Sequence, residues 1–240
     1  MKDVRVFVAG AAGAIGRQLV PLLLADGHGV TGTTRNPARV EWLRATGADP
    51  IVLDVYDASA VRRAMAAARP DVVIHQLTDL ASGFAPEQLR ANSRLRRVGT
   101  RHLVEAMLLA GVTRLVAQSG AWLYGPGPLP HTEDQPLPEP KAESDDPVLT
   151  GVRELERMTL ETPRIDGVVL RYGFLYGPGT AYPEKDDLKN GPSVSVLDAA
   201  RAAALAADRG SPGVYNIVDN DDAVSNRRAH ELLGWAPSLH

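Results

Sequence analysis

The chain has no cysteine, which excludes disulfides, thiolate nucleophiles and thiolate-type zinc sites. No apolar run approaches the roughly 18 residues that a membrane-spanning helix needs. Neither sign of charge dominates, because 26 basic against 29 acidic residues leave a formal net charge of −3. That balance offers little to a nucleic-acid backbone or an anionic membrane, so neither is an expected partner. No group of His, Asp and Glu shows ligand spacing, and no metal site is expected. Internal repeats are absent. A strand-type run begins already at Val4, which leaves no room for a signal peptide and points to a cytoplasmic protein.

What the chain does have is most concentrated near its start. Val4-Arg-Val-Phe-Val-Ala-Gly10-Ala-Ala-Gly13-Ala-Ile-Gly16 places a strand-type run before three glycines spaced three apart. A helical stripe of Ile15, Leu19, Leu22 and Leu23 follows. Glycine permits a sharp turn, a close approach of backbone to phosphate and tight helix–sheet packing. The helix N-terminus supplies free N–H groups to an anion. The turn therefore reads as a dinucleotide cradle built from Gly10, Ala12, Gly13, Ile15 and Gly16.

Strand signals near 4–9, 29–34, 50–54, 71–77, 113–119, 167–172 and 213–218 alternate with helical ones. This alternation predicts an α/β fold, a Rossmann-type doubly wound parallel sheet formed by one domain over residues 1–240. Pro21 is expected to kink the first helix. Asp57 is a candidate cap for a helix over 57–69. A long helix near 87–110 should end at Gly111, with Arg90, Arg94, Arg96, Arg97 and Arg101 on a solvated face. Residues 125–147 and 177–193 read as long irregular segments.

The end of the second strand reads Thr33-Thr34-Arg35-Asn36-Pro37-Ala38-Arg39, without the acid that commonly holds the ribose 2′-hydroxyl of NAD. Guanidinium groups grip a 2′-phosphate, so NADP(H) is the expected cofactor, with NAD(H) as the alternative. Arg35 is the leading contact, with Arg39 and Thr34 in support. Asp54 and Val55 end the third strand and flank the adenine or serve structure alone.

In order along the chain, Gly10-x-x-Gly13-x-x-Gly16, Asp54-Val55, His75-Gln-Leu-Thr78, Gly99-Thr100, Ser119-Gly-Ala-Trp-Leu-Tyr124-Gly125, Leu170-Arg171, Tyr176-Gly-Pro-Gly179, Asp198 and Gly234-Trp235-x-Pro237 resemble the NAD-dependent epimerase/dehydratase family of the short-chain dehydrogenase/reductase superfamily. The resemblance adds Thr78 to the cofactor residues and implies a small-molecule substrate and a homodimer. It also implies a serine and a Tyr-x-x-x-Lys pair that move the hydroxyl proton. Here the pair falls on Leu149 and Arg153, and counting back from Tyr124 puts Gly120 at the serine. The substrate lobe, contained in about 173–240, is shorter than the family implies.

The first expectation is therefore an oxidoreductase acting on a small carbonyl or hydroxyl substrate with a displaced proton donor. Tyr124 is the candidate donor, Ser119 the carbonyl ligand, and Arg153 or Arg171 the electrostatic support. His75, inside an apolar strand, is expected to be a core histidine. The alternatives are a non-redox isomerase, cyclase or dehydratase, and a non-catalytic nucleotide sensor.

Overall fold

The computed structural model describes residues 4–79, 83–140, 146–188 and 190–238. Parts of the two expected irregular segments, residues 141–145 and 189, lie outside these. The strands of the main sheet are β1 (Arg5–Ala9), β2 (Gly29–Thr34), β3 (Asp49–Val52), β4 (Val72–His75), β5 (Arg114–Gly120), β6 (Asp166–Tyr172) and β9 (Gly213–Ile217). All seven run parallel, in the order β3-β2-β1-β4-β5-β6-β9. Two three-residue strands, β7 (Phe174–Tyr176) and β8 (Ser193–Ser195), pair separately. This small sheet was not expected, since three residues carry too little alternation to register as a strand.

Side-chain alternation along β1 divides the core. Val6 and Val8 join α1 (Ala14–Ala25) and α7 (Val196–Asp208) in one apolar layer. Phe7 and Ala9 join α3 (Ala58–Ala68) and α5 (Thr100–Ala110) in the other. Because α7 and β9 lie within this main architecture, the segment after 173 is largely Rossmann core. The β7–β8 pair stands outside the main sheet, while Ala229, Leu233 and Trp235 of the C-terminal segment pack into the α1–α7 core layer.

Local chemistry sets the helix ends. The Asp57 carboxylate accepts from the Ser59 and Ala60 amides at 2.9 Å each, capping α3. Gly111 ends α5 in the left-handed conformation at φ 73°. α1 runs through Pro21 without ending, with the proline on its exposed side. The long helix expected over 87–110 is divided: α4 (Pro86–Arg94) passes through a π-turn at Leu95–Gly99 into α5. That turn corrects the solvated arginine face, because it rotates Arg96 into the interior, where it is only 4% exposed. α2 (Val40–Thr46) and α6 (Pro147–Glu161) complete the α-helices among the described residues.

Candidate active site

The strand order reverses between β1 and β4, and at that point a crevice opens outside the carboxyl ends of the strands. The crevice has a volume of about 530 Å³ and is lined from four successive strand ends. Its floor is the glycine turn. Gly10 sits at φ +91°, and a Cβ there would stand 2.9 Å from the Gln76 carbonyl oxygen, so only glycine fits between β1 and β4. A Cβ on Gly16 would lie 2.4 Å from the Gly10 carbonyl oxygen, which locks the first turn of α1 onto the loop. No side chain caps the α1 N-terminus at Gly13, so its first amides remain available to an anion.

Most of the cofactor residues named from sequence border this crevice: Gly10, Ala12, Gly13, Thr34, Arg35, Arg39, Asp54, Val55 and Thr78. Ile15 does not; it is buried in the core beneath the turn. Gly16 acts through packing. The Thr34 hydroxyl accepts from the Asn36 amide at 3.2 Å, and the Asp54 carboxylate accepts from the Tyr56 amide at 3.0 Å. Sequence reasoning passed over Asn36, Tyr56 and Gln76, which also line the crevice. It also missed Asp79, whose carboxylate accepts from Arg35 at 3.2 Å. Arg94 lies over the Tyr56 ring, 5.2 Å from its centroid.

The crevice fits a dinucleotide on its own terms. Gln76 donates to the Tyr172 hydroxyl at 3.3 Å, while its amide oxygen is buried without a partner. Such an acceptor costs free energy until a ligand N–H or O–H reaches it. A glycine cradle, uncapped helical amides and an orphaned acceptor in one wall are together the features of a nucleotide site.

The candidate catalytic residues are engaged elsewhere. Ser119 is buried, and its hydroxyl donates to Glu156 at 2.5 Å. Glu156 in turn receives a two-pronged bond from Arg171, at 2.9 and 2.7 Å. Burial opposes the Arg171 charge, but Glu156 outweighs it and holds the pKa above the usual arginine value. The Tyr124 hydroxyl accepts from Arg171 at 2.8 Å and donates to Asn216 at 2.9 Å. Burial raises its pKa, with Arg171 acting in the opposite sense, which leaves Tyr124 a poorer proton source than a free phenol. Its ring stacks on His131 with centroids 4.9 Å apart. Arg153 donates to the carbonyls of Leu137 and Pro138 at 2.6 and 3.2 Å, fastening the loop before α6. The structure thus gathers Ser119, Tyr124 and Arg171 into one internal network and sets Arg153 apart as a loop anchor.

His75 is wholly buried, accepts from the Leu77 amide through Nδ1 and bonds Thr100 through Nε2. Burial, reinforced by Arg96, lowers its pKa to about 3, so it is a neutral core residue. Arg96 itself is lowered to about 10 by burial, with Glu156 opposing. Among the described residues no group of His, Asp or Glu could hold a metal ion, and no helix is long and apolar enough to cross a membrane.

Fold and crevice together define a dinucleotide-binding protein of the Rossmann class. A family model, the NAD dependent epimerase/dehydratase family, matches residues 6–191. A 3-diazoavenalumate denitrifying reductase from a Streptomyces species is 43% identical over 228 residues, covering 92% of this chain and 69% of that protein. Two crystal structures are similar as well. UDP-glucose 4-epimerase from Thermotoga maritima, with UDP-glucose, has a TM-score of 0.82 at 19% identity, covering 98% of this chain and 94% of the other. The Thermus thermophilus UDP-glucose 4-epimerase complex with NAD has a TM-score of 0.74 at 25% identity, covering 98% and 85%. The chain belongs to the NAD-dependent epimerase/dehydratase family. It is an NAD(P)-dependent enzyme of the oxidoreductase/epimerase type.

Proposed function

We propose that this enzyme is an NADPH-dependent reductase whose substrate takes up hydride without needing a proton from the protein, and that its substrate is a diazonium compound. The observation that carries this reading is the absence of a proton relay. Gly120 and Leu149 offer no hydroxyl, and Arg153 stays protonated and is tied to the 137–138 carbonyls. Nor do the displaced candidates replace it, since the Ser119 and Tyr124 protons are committed to Glu156 and Asn216. Reduction of a carbonyl generates an alkoxide that must be protonated or held by a donor. Epimerisation at a hydroxyl-bearing carbon has the same requirement in both directions.

A diazonium substrate removes that requirement. When bound, the reduced nicotinamide supplies a hydride. The substrate carbon gains a C–H bond while the C–N electron pair departs with N2, so charge balances with no proton exchanged. The protein's tasks are then to bind, orient and exclude water. Gly10, Gly13 and the α1 N-terminus hold the pyrophosphate, Gln76 offers its free acceptor to the nucleotide, and Arg35 with Arg39 receives a 2′-phosphate. The β7–β8 pair and residues 218–226, whose Val218 and Val224 pack with Ala121 after β5, form the substrate lobe. The name of the Streptomyces relative, a denitrifying reductase of a diazo compound, supports the same chemistry.

The test supplies NADPH with arenediazonium salts on one side and aldehydes, ketones and UDP-glucose on the other. We expect enzyme-dependent NADPH oxidation only with the first group, one N2 released per NADPH, and deuterium from 4-deuterated NADPH in the product. Turnover confined to the carbonyl or sugar compounds, or NADPH oxidation without N2, refutes the proposal.

A further inference from the structure

Trp122 and Phe174 stand side by side at the carboxyl edge of the sheet, with ring centroids 5.3 Å apart and planes only 15° from parallel. Each ring is seated against a glycine. A Cβ on Gly120 would come within 2.8 Å of the Trp122 indole nitrogen, so the indole fills the space that a side chain at 120 would take. Gly191, at φ +99°, leaves room for Phe174, whose ring a Cβ there would approach to 2.9 Å. The position where the family's serine would meet a substrate oxygen therefore carries an indole instead. Despite this seating Trp122 keeps 37% of its surface open, so part of the indole is available to a ligand at this edge of the sheet.

We infer that the Trp122–Phe174 stack is a substrate platform that receives a planar aromatic ring. A third ring extends an offset stack at little conformational cost, because both existing rings are already held. A sugar ring, puckered and covered with hydroxyls, gains little from the same surface. An electron-poor ring, such as one bearing a diazonium group, is drawn to the negative face of the indole by its quadrupole. The inference rests on the proposed reductase reading only in placing the substrate beside β5; the platform itself is defined by the two rings and their glycines.

Binding without turnover separates the two. Calorimetry on the NADP+-saturated protein would compare 2-naphthol with decahydro-2-naphthol, which has similar bulk but no flat π-face. The wild type is expected to favour 2-naphthol by about five- to tenfold, the range of one good aromatic contact. Trp122→Leu should abolish that preference while leaving NADP+ affinity unchanged. Phe174→Leu and Gly120→Ala, the second of which displaces the indole without removing it, should reduce the preference independently. Equal affinity of the wild type for both compounds, or equal losses for both in the variants, overturns the platform. Planar-selective binding without diazonium reduction upholds the platform and removes the proposed reaction; diazonium reduction without planar selectivity does the reverse.

Discussion

Replacing Arg35 by alanine tests the cofactor preference most directly. Arg35 leaves the end of β2 and pairs with Asp79 at 3.2 Å, with the two side chains 64% and 29% exposed. An ion pair that open to water is worth about 0–1 kcal/mol. A charge-assisted bond to a phosphate oxygen is worth about 1.5–3 kcal/mol, so a 2′-phosphate outcompetes Asp79 for the guanidinium. Loss of the bond then raises the NADPH dissociation constant by about 10- to 100-fold, at about 1.4 kcal/mol per decade. NADH has a hydroxyl at that place and should lose less, about two- to tenfold, the share left to a neutral bond. Asp79→Asn removes the competitor and should tighten NADPH by up to about fivefold, the most a surface pair can contribute. Fluorescence titration of both cofactors at low and high salt reads all of these, and the NADPH advantage should shrink as salt rises. Equal losses for NADPH and NADH in Arg35→Ala would refute the 2′-phosphate assignment.

Tyr124→Phe should weaken the fold rather than the chemistry. It strips Arg171 and Asn216 of a shared partner, costing about 1–3 kcal/mol, and Tm should fall by about 2–12 °C. Turnover per folded molecule should persist; a loss of about a hundredfold or more, the contribution of a true general acid, would restore Tyr124 as proton donor. His75 predicts an acid-sensitive fold. Its pKa in the folded protein is about 3, below the ordinary value of 6.5, so as pH falls the unfolded chain takes up the proton first. The stability contributed by neutral His75 is complete above pH 6.5 and drains away toward about pH 3. Denaturant midpoints measured across this window should fall less steeply for His75→Asn than for the wild type. Parallel curves would show that His75 does not contribute.

The sequence by itself determined the frame of this protein. Glycine spacing after an apolar strand, alternation of strand and helix signals, the Asp57 cap and the Gly111 stop are local patterns, and local geometry dictates them. The missing relay was legible in the same way, because leucine at 149 and glycine at 120 lack the necessary atoms wherever they are placed. Only the tertiary structure decided what the remaining polar groups do. Ser119 and Glu156, 37 residues apart, meet at a bond, as do Tyr124 and Asn216, 92 apart. Arg35 finds Asp79 across the crevice, a π-turn buries Arg96, and two three-residue strands pair around Phe174. Each depends on chain segments brought together from a distance, and a side chain's chemistry is set by the partner it meets there.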